Sequence, residues 1–180
     1  MIEIPFYAGM LITLLGWILF RAGAYRKTGR FDWRYEAKQI FFLINLLVIV
    51  RVTFFPFEKV DGMVQPLIFD AAAVFPIRVN LIPFVNLLDF DTKFDLLINL
   101  IGNFALFIPT GIMTPIIYKK INTLPKVVLT GAAISLIIEI IQLPFAVRAS
   151  DVDDLILNTA GCLTGYGIYA LVRRIRHCAR

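Results

Sequence analysis

The 180-residue chain predicts an all-α integral membrane protein that crosses the bilayer five times, and three observations lead there. Its residues are 59% hydrophobic and its mean hydropathy is +0.79, too apolar for an ordinary soluble domain. Five apolar runs approach or exceed the roughly 20 residues that a helix needs to cross hydrocarbon. The basic residues outside those runs fall in alternate connections, as they do in a chain threaded through a membrane. A net charge of +5 could suggest nucleic acid, but this placement argues for lipid headgroups instead. One polytopic membrane domain over residues 1–180 accommodates all of it.

The first run, Ile4–Phe20, lacks the positive leading region and small-residue cleavage pattern of a signal peptide, and its positive flank follows it. It reads as an uncleaved span. Residues 21–38 then carry six basic and two acidic side chains before the second run, Ile40–Phe57. Residues 58–95 reverse the balance, with three basic and six acidic side chains. Within them, Met63–Phe75 is apolar but interrupted by Pro66 and Asp70, and as a helix it would cover only about 20 Å. It is expected to be a re-entrant or interfacial segment in a long outer loop, because a sixth span would move the basic tail to the wrong side. The stretch NLIPFVNLL, residues 80–88, is again semi-apolar, with Pro83 restraining it, and is expected to fold back against the spans.

The third run, Leu96–Tyr118, contains Pro109 and Pro115, which remove backbone donors and tend to bend a helix. Residues 119–126, KKINTLPK, carry three basic residues and no acid, and lead to the fourth run, Val127–Phe145. The short connection after it sets Arg148 against Asp151, Asp153 and Asp154. The fifth run, Leu155–Val172, has Gly161 and Gly165 at the spacing that permits close helix packing. It ends in RRIRHCAR, with four Arg and no acid. Thirteen of the 18 basic residues therefore lie in alternate connections and the tail, which predicts an external N-terminus and a cytoplasmic C-terminus. Cys162 in a span and Cys178 in the tail are not placed to form a bridge, and their spacing suggests neither a metal nor a redox centre.

Polar residues inside such runs need a reason, because ionisable groups in hydrocarbon are costly unless they face a protein interior or a wet cavity. With this orientation, distance along each run converts to depth. Arg51 and Glu139 each lie about 9 Å from the outer end of their run, Asn103 about 10 Å and Asn158 about 4–5 Å. All four belong to the outer half. Glu139 and Gln142 share a helix face, and Asp151, Asp154 and Asn158 form a stripe if the last helix starts near Asp151, where carboxylates favour its positive end. Arg148 is close enough to join them, and Asn80 can present an amide from the loop or simply form a turn. Glu139 is the expected charge partner of Arg51. The same residues could instead serve only to hold the spans together.

The chemistry open to this set is restricted. His177, the one histidine, lies in the basic tail, opposite the polar set, which argues against His-based acid–base catalysis and a His-ligated zinc. There is no GxSxG elbow, no HExxH and no GxxxxGK[ST] loop. The acids could hold a divalent cation through oxygen ligands and join it to a phosphate, though no catalytic set is defined. The broader expectation is recognition of an amphiphile at the outer interface, with its tail on apolar helix faces and its head on the polar cluster. Arg is suited to an anionic head. A membrane enzyme modifying a lipid-linked envelope substrate, or a purely structural membrane protein, is the alternative. Five spans without a clear inverted repeat give little support to alternating-access transport.

The ordered motifs resemble the VanZ-like membrane protein family. They are Arg51 with FPF at 55–57, NLIPF at 80–84, NLIGNFALFIPTG at 99–111, IEIIQ at 138–142 and RASDVDDLILNTAGCLTGY at 148–166. The resemblance covers a core of residues 51–166. It implies a small bacterial multi-pass protein of the cell membrane, from a family whose namesake is associated with resistance to the lipoglycopeptide-type antibiotic teicoplanin. It also marks Arg51, Asn80, Asn103, Glu139, Gln142, Arg148, Asp151, Asp154 and Asn158 as ligand-binding or core-network residues. Implied partners are membrane lipids and a lipid-linked envelope component or lipoglycopeptide, with no nucleic acid.

Overall fold

In a computed structural model, residues 2–29, 31–55, 59–60, 62–75, 79–85, 92–145 and 150–179 are described. Five helices are long and apolar enough to cross a membrane: α1 (Phe6–Thr28), α2 (Trp33–Phe54), α3 (Lys93–Ile117), α4 (Leu124–Gln142) and α5 (Val152–Cys178). The chain divides into two compact units, one of residues 1–78 with 142–149 and the other of residues 79–141 with 150–180.

In the first unit, α1 buries none of its residues. A helix that is apolar all round and still exposed along its length has lipid as its natural solvent. It runs past the apolar stretch to Thr28, where Gly29 takes the left-handed conformation (φ 61°) and donates its N–H to the Tyr25 carbonyl at 2.8 Å. Arg26 and Lys27 lie in that last turn, suited to the negative helix end. Asp32 then caps α2 by accepting from the Arg34 N–H at 2.9 Å. The basic stretch between the first two runs is therefore mostly helical. Arg21 and Glu36 pair across the α1–α2 hairpin, with the Arg21 guanidinium 5.2 Å from the centre of the Tyr35 ring.

The other end of this unit is closed by short strands that the apolar periodicity did not reveal. β1 (Ile2–Ile4) pairs antiparallel with β4 (Leu67–Phe69), in the register Ile2 to Phe69 and Ile4 to Leu67. Before it, β2 (Lys59–Val60) and β3 (Met63–Val64) form a two-residue hairpin. A 3-10 turn, Ala71–Val74, follows under an Asp70 cap. Residues 63–75 thus form strands and a turn, with no sixth helix. Phe69 also bridges to Phe145, and the Asp70 N–H reaches the Pro144 carbonyl at 2.8 Å. Phe145 presents its ring edge-on to Phe54 and Phe69, both at 6.0 Å.

In the second unit, α3 and α5 run parallel and pack closely against each other. Glycines permit it. A methyl group added to Gly161 would strike the Phe104 carbonyl oxygen, one on Gly165 the Ile108 carbonyl and one on Gly111 the Cys162 carbonyl. The Gly161/Gly165 spacing therefore serves packing within the chain. α4 runs antiparallel to α5, with Gly131 against the Cys162 side chain and the Tyr166 hydroxyl donating to the Asn122 carbonyl at 3.2 Å. Pro109 and Pro115 both lie inside α3. Among the described residues Cys162 is a buried free thiol and Cys178 an exposed one. The outcome is the expected five-helix membrane class with small β closures added to it.

Candidate functional site

The second unit gathers most of the expected polar residues at one end. Asp151 caps α5, accepting from the Asp153 N–H at 2.9 Å, and Asp153 and Asp154 occupy the first turn. Carboxylates there meet the unsatisfied N–H groups and the positive end of the helix. The segment before it, β6 (Ser150–Asp151), pairs in parallel with β5 (Val79–Asn80). The Asn80 side-chain amide donates to both Asp151 carboxylate oxygens at 3.2 Å, and its carbonyl oxygen accepts from the Ile82 N–H at 3.1 Å. Asn80 is thus both a turn former and a clasp.

Glu139, near the end of α4, closes the same junction. Its carboxylate accepts from the Asp151 N–H at 3.0 Å, while its backbone carbonyl accepts from the Ser150 hydroxyl at 2.7 Å. One level deeper, the Asn103 amide on α3 donates to Asp154. Deeper again, the Asn158 amide on α5 donates to the Ser135 hydroxyl on α4 at 2.9 Å. Asn158 is only 1% exposed, and its carbonyl oxygen has no hydrogen-bond partner among the described residues. Three helices and two loop strands are thereby tied by polar contacts arranged in three tiers.

Beside these tiers the loop after β5 is held in an unusual shape. Phe84 has φ 61°, the left-handed region that a bulky side chain rarely enters. Its N–H is clamped by both Asp153 carboxylate oxygens, at 2.8 and 3.1 Å. Asn80 fastens one side of the loop and Asp153 the other. Along this loop Leu81, Ile82, Phe84 and Val85 are each 49–73% exposed. The result is an apolar ledge beside a polar network.

A family model described as VanZ/LLP1 matches residues 42–173, nearly three-quarters of the chain. The chain belongs to the VanZ/LLP1 family. Protein VanZ of Enterococcus faecium is 37% identical over 93 residues, covering 52% of this chain and 53% of that protein. The chain thus aligns with about half the length of this curated relative. No solved structure is a significant match. With family and helices together, the VanZ-like protein is a multi-pass membrane protein.

Of the VanZ-like motif residues, Asn80, Asn103, Glu139, Asp151, Asp154 and Asn158 all enter the tiered network. Arg51 and Gln142 belong to the first unit. There the Arg51 guanidinium donates to the Phe55 carbonyl at 2.7 Å and lies 5.4 Å from the centre of the Phe6 ring, finishing α2. Gln142 donates to the Thr53 carbonyl at 2.7 Å. Arg148 lies outside the described residues. The depths also shift, because the helix ends do not coincide with the limits of the apolar runs. Arg51 and Glu139 sit about 4–5 Å from the ends of their helices, Asn158 about 9 Å and Asn103 about 15 Å.

Ser150, Ser135 and the loop-holding role of Asp153 carried no distinctive sequence signal. Serine is common in every context, and Asp153 differs from its neighbouring aspartates only through a contact 69 residues away. Among the described residues no three or more Asp, Glu, His or Cys side chains gather as a metal site would require. Asp151 and Asp153 already hold N–H donors of Asn80 and the backbone.

Proposed function

We propose that this chain binds an amphiphilic cell-envelope molecule, a lipid or a lipoglycopeptide-like compound, at the outer face of the membrane. The observation that carries the reading is the ledge of Leu81, Ile82, Phe84 and Val85 fastened beside the carboxylates and amides of the tiered network. An amphiphile needs both surfaces at once: apolar side chains for its acyl tail, and polar groups that fix its sugar, peptide or phosphate head. Exposed apolar residues alone would suit bulk lipid; what supports a selected ligand is that these four lie beside fixed carboxylates and amides. The outer location is supported by the distribution of Lys and Arg, which favours an external N-terminus and a cytoplasmic C-terminus.

The test is purification in mild detergent followed by unbiased mass spectrometry of retained amphiphiles. Wild type is expected to retain a selected class. A Leu81→Ser/Phe84→Ser variant is expected to lose it while keeping the helicity and elution volume of wild type. Equal retention by the two proteins, or no selective retention from envelope extracts, would sink the reading in favour of packing alone. Conversion of the retained molecule, lost on Glu139→Gln, would extend binding to catalysis.

A further inference from the structure

The opposite end of the second unit carries a different surface. Gly111 of α3 lies against the Cys162–Tyr166 stretch of α5. From those points α3 continues six residues to Ile117, whereas α5 continues twelve to Cys178. The last turns of α5 therefore outrun α3 by roughly 9 Å. At 27 residues α5 is about 40 Å long, more than the roughly 30 Å of hydrocarbon, so these turns emerge among headgroups. Tyr166, Tyr169, Arg173 and His177 recur at three- and four-residue intervals, and with Arg174 beside Arg173 they line an open concavity of about 310 Å³.

The side chains are ordered as a phospholipid is. The Tyr166 and Tyr169 rings, 5.9 Å apart, lie nearer the hydrocarbon, where aromatic residues gather at membrane boundaries. Arg173, Arg174 and His177 follow one and two turns beyond. Among the described residues the two arginines make no side-chain hydrogen bond or ion pair, so their guanidinium donors face outward. Two adjacent free guanidinium forks suit phosphate oxygens. The concavity is also within the size range of small-molecule sites.

We infer that this stripe is a binding site for the headgroup of an anionic phospholipid, with the phosphate on Arg173 and Arg174 and the glycerol backbone against the two tyrosines. It is independent of the amphiphile site at the other end of the unit, and either can fail without the other. The full chain would be placed in micelles containing equal amounts of phosphatidylglycerol and phosphatidylcholine, and lipid retained through size-exclusion chromatography would be counted by mass spectrometry.

Wild type is expected to enrich phosphatidylglycerol, and Arg173→Gln/Arg174→Gln to reduce that enrichment roughly tenfold or more. Lys119→Gln/Lys120→Gln removes the same charge from the same end outside the concavity and is expected to retain most of it. Equal losses in the two variants would reduce the effect to general charge and overturn the site. So would the absence of enrichment in wild type. Millimolar inorganic phosphate is expected not to displace the lipid; displacement would mark a site for free phosphate instead. Helicity and elution volume confirm that each variant is folded.

Discussion

Replacing Asp153 by Ala tests the geometry that the proposed function depends on. The carboxylate accepts the Phe84 N–H through both oxygens and is 8% exposed. A hydrogen bond to a charged group contributes about 1.5–3 kcal/mol, and a first-turn carboxylate adds about 0.3–1 kcal/mol to its helix. Against this, Phe84 occupies a left-handed conformation that costs an L-residue roughly 1–2 kcal/mol. Without Asp153, that strain loses the clamp that offsets it. The free energy for opening the loop is expected to fall by about 2 kcal/mol, which corresponds to roughly thirtyfold faster amide exchange at Phe84. Hydrogen exchange read by mass spectrometry on a peptide spanning residues 80–85, in a lipid nanodisc, measures it directly. Asp153→Asn keeps an acceptor and is expected to fall between, while Phe84→Gly removes the strain and slows exchange. An Asp153→Ala protein whose loop exchanges within twofold of wild type would refute the clamp and remove the main support for a fixed ledge.

Three further outcomes are expected. Gly161→Ala drives a methyl group onto the Phe104 carbonyl oxygen and should cost about 1–3 kcal/mol in denaturant unfolding; Gly167→Ala, with open space around it, should be neutral or stabilising by up to about 1 kcal/mol, and equal effects would contradict the α3–α5 packing. Asn158→Leu leaves the buried Ser135 hydroxyl without its partner and should destabilise by about 1–3 kcal/mol, with Ser135→Ala added to it recovering part of the loss; strict additivity in that double-mutant cycle would count against the tie. The native cysteines report orientation without engineering, since Cys178 is exposed and Cys162 buried. A membrane-impermeant thiol reagent should leave intact cells unlabelled and label inverted vesicles at Cys178, and labelling of intact cells would reverse the assigned topology.

Length and hydropathy determined the five helices and the membrane class, because a bilayer-crossing helix must satisfy its own backbone and cover itself in apolar side chains, and both demands are local. Local, too, was the cap at Asp151, since aspartates before an apolar run favour a helix start. The motif order marked most of the polar residues that meet in the second unit. Tertiary structure alone decided what each one does. Whether Asn80 is a turn former or a clasp depends on Asp151, 71 positions later, and whether three neighbouring aspartates cap, clamp or tie depends on which helix or loop each one faces. The β1–β4 closure was invisible for the same reason: three-residue strands have too little periodicity to register, and their partners lie more than sixty residues apart. Glu139 and Gln142 share a helix face, yet Glu139 receives the Asp151 amide in the second unit and Gln142 grips Thr53 in the first. A side chain's identity sets which bonds it can make, and the fold sets which partners come within reach.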